Sequence, residues 1–289
     1  MGSSAAFESV RPRLFGLAYR MLGSRADAED IVQEAYVRWH QTEADTVRNA
    51  EAWLVTTATR LAIDRLRALK VEREAYTGPW LPEPLIAPEP PDREAELASD
   101  LSVAFMVLLE RLAPEERAAF LLHDVFDCGY TEIARLLGKS EAASRQIVHR
   151  ARGRVRDDQP RFHASEAARV RLLKTFVAAM EARDEQALAR LFAPDATWTA
   201  DGGGKTAAVP HPIEGADAIL KLLLGLQRRF SREGVTLHLG TVNGETGLLV
   251  RLNDRVAAAI SMVIDGDRIA RAYAIVNPDK LPATMPSTM

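Results

Sequence analysis

The chain has 289 residues, 47% of them hydrophobic, enough for two or three domains with real cores. It contains no run of about 18 apolar residues, and Met1–Val10 lacks the basic stretch and apolar core of a signal peptide, so neither a membrane span nor export is expected. The single cysteine, Cys128, excludes an internal disulfide framework; together these features point to the cytoplasm.

The net charge of −3 hides an uneven distribution. From Lys139 to Arg156 the cations Lys139, Arg145, Arg150, Arg152, Arg154 and Arg156 face one anion, Glu141. From Arg60 to Arg73, basic residues again outnumber Asp64 and Glu72, whereas acidic residues gather between Glu83 and Asp100. Basic surfaces set in an otherwise acidic chain suit nucleic acid.

In chain order, 7–75 reads as all helix. Arg13–Leu22 is one short helix ended by Gly23. Ser24 then caps a second helix, with Asp27 in the capping-box place and Glu29 and Asp30 in the first turn. Ile31, Ala35 and Trp39 share one of its faces. Gln41–Asn49 interrupts the pattern. A third helix is expected over about Ala50–Leu69, with Trp53, Leu54, Thr57, Leu61 and Asp64 near one stripe. Residues 76–100 hold Pro79, Pro82, Pro84, Pro88, Pro90 and Pro91 and read as an extended linker. Trp80, Leu81, Leu85 and Ile86 in that linker predict that part of it docks on an apolar partner.

Residues 101–162 are helical again: Leu101–Leu112 is strongly apolar, and Pro114 opens a helix over Glu115–Asp127. Tyr130–Leu137, a turn at Gly138–Ser140 and a helix over Glu141–Arg156 form a helix-turn-helix. Arg145, Gln146, His149 and Arg150 lie on neighbouring rows of one face of that second helix, opposite Ala143, Ile147 and Val148. Such a face can read bases in the major groove, while Arg152, Arg154 and Arg156 suit phosphates. The alternative is a solvated basic helix.

Residues 165–283 begin with a helix capped by Ser165, with Leu173, Phe176, Val177 and Met180 on one stripe. Strands follow over Ala196–Ala200, Val235–Leu239, Leu248–Leu252, Val256–Ile264 and Ile269–Val276, with turns at Asn243-Gly244, Asn253-Asp254 and Asp265-Gly266-Asp267. A helix followed by an antiparallel meander makes an α+β domain. His40, His123, His149, His163, His211 and His238 have no ligand spacing, so no metal is expected.

Gly23–Gln41 (GSRADAEDIVQEAYVRWHQ) with Asn49–Arg67 (NAEAWLVTTATRLAIDRLR) closely resembles region 2 of extracytoplasmic-function sigma factors. Tyr130–Arg156 resembles their region 4. Trp80–Pro84 (WLPEP), Asp201–Lys205 (DGGGK) and Asn277–Leu281 (NPDKL) look like signatures of the subgroup with a fused C-terminal SnoaL-like domain. The resemblance covers nearly the whole chain. It implies two all-α sigma domains joined by a Pro-rich linker and followed by an α+β SnoaL-like cone.

The same resemblance implies roles. Asp27, Glu29, Asp30, Gln33 and Glu34 would dock on the β′ clamp helices of core RNA polymerase, and region 4 would meet the β flap. Asn49, Trp53, Arg60, Asp64, Arg65 and Arg67 would contact the −10 element, with Asn49 at the rim of a pocket for an unstacked base. Arg145, Gln146, His149, Arg150 and Arg152 would engage the −35 element. The segments Trp80, Leu81, Pro82, Glu83, Pro84; Asp201, Gly202, Gly203, Gly204, Lys205; and Asn277, Pro278, Asp279, Lys280, Leu281 would contact one another and regulate the spacing of regions 2 and 4. No cofactor, membrane or separate anti-sigma protein is implied. Two other readings stay open: a stand-alone DNA-binding regulator, and a bifunctional protein whose SnoaL-like domain is catalytic. For the latter, Asp195, Asp201, His211 and Glu214 are the candidate acids and bases, but no nucleophile–base–orienter set is visible, so catalytic residues are expected to be absent.

Overall fold

Helix breakers and caps set the bounds of the elements, but the two helical segments expected as separate domains fall largely into one unit. In the computed structural model, which describes residues 3–42, 47–87, 101–156, 164–230, 234–253 and 255–283, the chain forms two compact units. One unit comprises 1–75 and 108–158, the other 76–107 and 159–289.

The first unit opens with α1 (Ser3–Leu22), α2 (Arg25–Gln41) and α3 (Ala50–Glu74). Helix α1 starts well before the expected Arg13, running through Pro12, because Phe7, Val10, Leu14, Leu17 and Met21 make one continuous buried stripe. Gly23, at φ 68, ends it. Ser24 Oγ then accepts from Asp27 N at 3.2 Å to start α2, which buries Ile31, Ala35 and Trp39. Helix α3 outruns its expected end at Leu69. Its buried stripe includes Leu54, Val55, Ala58, Ala62, Ile63, Leu66 and Leu69, whereas Asp64 is exposed; the expected stripe was rotated off the core.

Helices α5 (Pro114–Asp124), α6 (Tyr130–Leu137) and α7 (Glu141–Arg156) pack on one another in the same unit, and α5 packs onto α1 and α3. The orphan carbonyls at the end of α1 are met by arginines: Arg117, 1% exposed, donates to Met21 O at 2.8 Å, and Arg73 donates to Leu22 O at 2.6 Å. Both guanidinium groups also pair with Glu110, so their burial is compensated.

The second unit is built on a sheet with strand order β1-β4-β5-β6-β7-β2-β3: β1 (Ile86–Ala87), β2 (Phe192–Asp201), β3 (Ile213–Glu214), β4 (Val235–Val242), β5 (Glu245–Leu252), β6 (Arg255–Asp265) and β7 (Arg268–Ile275). Strands β4 to β7 form the expected meander, but β2 joins β7 in parallel. One face packs on α8 (Glu166–Ala182), α9 (Glu185–Leu191) and α10 (Ala216–Phe230) through Leu173, Phe176, Leu188, Trp198, Leu223 and Ile260. The other face, with Leu249, Ala259, Val263 and Tyr273, is covered by linker residue Leu81 and by Val103 of α4 (Val103–Leu109). The apolar residues of the proline-rich segment thus find their partner in this sheet. The turn at Asn253-Asp254 falls partly outside the described residues, as do residues 88–100 and 157–163.

Candidate nucleic-acid interface and linker site

The turn between α6 and α7 is set by Gly138, left-handed at φ 63, whose N–H returns to Ala134 O. Ser140 Oγ accepts from Ala143 N at 3.2 Å and starts α7. Ser144, Ile147, Val148, Ala151 and Val155 turn inward. Arg145, Gln146, His149 and Arg150 therefore stand together on the solvent side. Arg145 lies over the Tyr130 ring and pairs with Glu141 at 2.8 Å, which holds it at the start of the helix. Arg152 is held by Asp124, with Nε 2.7 Å from Oδ1, and Arg154 by Glu116. Lys139 and Arg67 share Glu115, and these two cations, Lys139 foremost, hold its carboxyl below the usual carboxylate range. These exposed pairs contribute little stability, so a polyanion can compete for the same cations.

On α2, Asp30, Gln33 and Glu34 are exposed beside Val37, an exposed apolar side chain. Asp27 behaves differently: Arg65 Nε donates to its Oδ1 at 2.7 Å, fastening α2 to α3. Glu29 pairs with Arg11. Asn49 caps α3, its Oδ1 accepting from Ala52 N at 3.0 Å, and Trp53 is half-buried with its ring 5.4 Å from that of Trp39. Arg60 and Arg67 are exposed on α3. Residues 43–46 of the preceding loop lie outside the described residues.

The three short motifs meet at one carboxylate. Asp201, at the end of β2, has no exposed surface. Its Oδ1 accepts from Tyr76 Oη at 2.6 Å and Gly203 N at 3.1 Å; its Oδ2 accepts from Leu81 N at 2.8 Å and Lys280 Nζ at 2.7 Å. Lys280 also donates to Leu81 O at 2.6 Å and sits 4.3 Å from the Trp80 ring centroid. Asn277 Nδ2 donates to Tyr76 Oη at 2.9 Å. Burial and the Asp201 carboxylate push the Tyr76 hydroxyl well above its ordinary range, so it stays a donor. Gly203 is required here: its φ is 57, and a Cβ would fall 2.2 Å from Asn277 Nδ2. Lys205 pairs with Asp279 at the surface. Pro82 and Pro84 are buried, Glu83 is partly buried, and Leu281 packs beside Leu81.

A second clasp was not legible in the sequence. Asn243, buried at φ 54 in the β4–β5 turn, accepts from Leu85 N at 3.0 Å through Oδ1 and donates to Leu101 O at 2.9 Å through Nδ2. Its own N–H reaches Leu85 O. An Asn-Gly pair signals a turn, but not what the side chain grips.

Asp195, His211 and Glu214 are exposed, and the partners of Asp201 all come from the protein. Among the described residues no group of His, Cys, Asp and Glu could hold a metal ion, and no helix is long and apolar enough to cross a membrane.

Comparison with known proteins gives three family matches: Sigma-70 region 2 over residues 6–71, Sigma-70 region 4 over 102–155 and a SnoaL-like domain over 173–272. The ECF RNA polymerase sigma factor SigJ of Mycobacterium tuberculosis is 38% identical over 95% of this chain and 91% of its own length. SigG of the same organism is 31% identical over 68% of this chain and 60% of its own. The crystal structure of SigJ matches with a TM-score of 0.78 at 34% identity, covering 97% of this chain and all of that one. With its two sigma regions in order and a SnoaL-like domain behind them, the chain belongs to the extracytoplasmic-function RNA polymerase sigma factors.

Proposed function

We propose that the protein initiates transcription as a sigma factor and that its fused C-terminal domain regulates it by gripping the linker. The observation that carries promoter binding is the solvent face of α7. Arg145, Gln146, His149 and Arg150 are held in helical register with their heads free of the core, and would read the −35 element. Arg152 would hold a phosphate. Asn49, Trp53, Arg60, Asp64, Arg65 and Arg67 would serve the −10 element, with Arg65 and Trp53 acting mainly by positioning α3. The exposed row Asp30, Gln33 and Glu34, with Val37, would meet the β′ clamp helices, Asp27 bracing it from behind; region 4 would meet the β flap.

Regulation rests on the Asp201 cluster. WLPEP, DGGGK and NPDKL converge on one buried ion pair, and a linker held this way has two discrete states, docked and released. Docked, it restricts the separation that regions 2 and 4 can adopt; released, it permits the promoter spacing. The fused domain would then stand in for a separate anti-sigma protein, acting by binding rather than by chemistry.

The test is co-purification of the full chain with bacterial core RNA polymerase, followed by transcription from a selected promoter. The wild type and Lys280→Met should both join the polymerase but differ in transcript yield by severalfold. Failure of both to bind would remove the sigma-factor mechanism; equal yields would remove the regulatory role of the cluster.

A further inference from the structure

The first unit carries a basic hollow on its surface. Between α3, α5 and α7 lies a cavity of about 500 Å³. Arg67 and Lys70 line it from α3, Lys139 from the turn before α7 and Arg150 from α7, while Pro114 and Ile147 supply apolar wall. All of these residues belong to the one unit.

Two carboxylates, Glu115 and Glu116, also line the cavity, but their charge is already engaged. Glu115 accepts from Arg67 at 2.9 Å and lies 3.0 Å from Lys139 Nζ. Glu116 is taken by Arg154, which is not part of the lining, and by the N–H of Ala113. Among the described residues, Lys70 and Arg150 have no carboxylate partner. Four cations thus face two anions, one of them neutralised from outside. The start of α5 adds to the positive potential: Ala113 has no side-chain oxygen to cap it, and a helix dipole is positive at that end.

Such a surplus suits a compact ligand with several negative charges. Phosphate matches it, because guanidinium and ammonium groups both make short, charge-assisted bonds to phosphate oxygens. The volume lies within the range of roughly 300–1,000 Å³ typical of small-molecule sites, so it admits a short phosphate chain. A DNA duplex cannot enter a hollow of that size and would meet only its rim.

The place of the hollow gives a ligand leverage. On the promoter reading, Arg67 serves the −10 element and Arg150 the −35 element. Those elements are about 25 base pairs apart, roughly 85 Å at about 3.4 Å per pair. Arg67 and Arg150 line one cavity, so both can reach their elements only if α3 and α7 part.

We propose that this cavity binds a small polyphosphate, inorganic or nucleoside, which bridges α3 and α7 and competes with promoter DNA. The site stands on the cavity and its charges; the competition rests on the promoter reading of Arg150. A ligand that binds this arrangement stabilises it by mass action and withdraws Arg150 from DNA.

The experiment titrates the full chain by calorimetry with inorganic tripolyphosphate, ATP, adenosine and sulfate. It uses physiological ionic strength, where diffuse surface attraction is screened. Tripolyphosphate should bind at one site per chain, at least tenfold more tightly than sulfate. Equal affinity for ATP would identify the phosphate chain as the ligand; tenfold tighter ATP would identify a nucleoside polyphosphate. Lys70→Gln, an exposed change on α3, should weaken tripolyphosphate binding at least fivefold, and Lys174→Gln, an exposed change on α8 of the second unit, less than twofold. Affinity no better than for sulfate, several equal sites per chain, adenosine binding as tightly as ATP, or equal losses in the two variants would overturn the site. In a second titration, saturating tripolyphosphate should weaken binding of a −35 duplex at least fivefold in the wild type and less than twofold in Lys70→Gln. Equal weakening in both would overturn the competition. The first titration contains neither polymerase nor DNA, so its failure leaves the promoter reading standing, and a failure of that reading leaves the site to be judged by the first titration.

Discussion

Replacing Lys280 with methionine removes one charge from the linker site while keeping a long apolar stem. The carboxylate of Asp201, with no exposed surface, would retain Tyr76, Gly203 and Leu81 as donors but lose its cation. Stranding one member of a buried pair costs about 3–5 kcal/mol. The chain can relieve that cost without unfolding the sheet by releasing residues 76–87, which lets water reach Asp201. The penalty should then appear as linker opening. At about 1.4 kcal/mol per factor of ten, exchange of the Leu81 amide should speed up by roughly two to three and a half orders of magnitude. Hydrogen exchange resolved by mass spectrometry reads this directly, with the β5 and β6 amides as internal reference. Adding Asp201→Asn should recover part of the protection, because the unpaired charge is then gone. The reasoning fails if Leu81 exchange changes less than tenfold, or if β5 and β6 open as much as the linker.

Four further outcomes follow from the same geometry. Gly203→Ala should lower the unfolding midpoint more than Gly138→Ala: both sites are left-handed and carry about 1–2 kcal/mol of backbone strain, but only the first meets neighbouring atoms. Arg150→Ala should relax base preference at one −35 position, costing roughly 1–3 kcal/mol at the correct base in a binding titration over promoter variants. Arg152→Ala should instead weaken all sequences alike and flatten the plot of log affinity against log salt by about 0.9. Burial pushes the Cys128 thiol from 9.0 up to about 11, so at pH 8 its thiolate is about a hundredfold scarcer than in the unfolded chain. Alkylation followed by mass spectrometry should therefore be slow until denaturant is added.

Local signals made much of this legible. Gly138 and Ser140 punctuate α6 and α7 by conformation and capping, which act over a few residues, and β4 to β7 alternate between turns that declare themselves. What escaped was non-local. The first helix was expected only from Arg13, but the buried stripe from Phe7 onward carries it through Pro12 and outweighs the loss of one backbone donor. The parallel pairing of β2 with β7 leaves no mark in either strand alone. Helix α10 went unread between two turn-rich stretches, although it carries Leu223 into the core. In the linker site, Asp201 was singled out by its motif, whereas Tyr76 fell at a segment boundary and Asn243 looked like an ordinary turn residue. Each acquires its role from a partner more than a hundred positions away, Tyr76 from Asp201 and Asn243 from Leu85 and Leu101.

Asn243 also bears on how the chain tolerates change in length. Because one carboxamide pins both Leu85 and Leu101, the stretch from 86 to 100 has its ends tied to a single point. Wherever two points of a chain are pinned together, the closure entropy of a flexible segment between them grows only with the logarithm of its length, and doubling that length costs about 0.6 kcal/mol. Insertions between residues 88 and 100 should therefore leave the sheet and the clasp at Asn243 undisturbed. The clasp thus separates the length of the chain between its two grips from the geometry it imposes on Leu85 and Leu101.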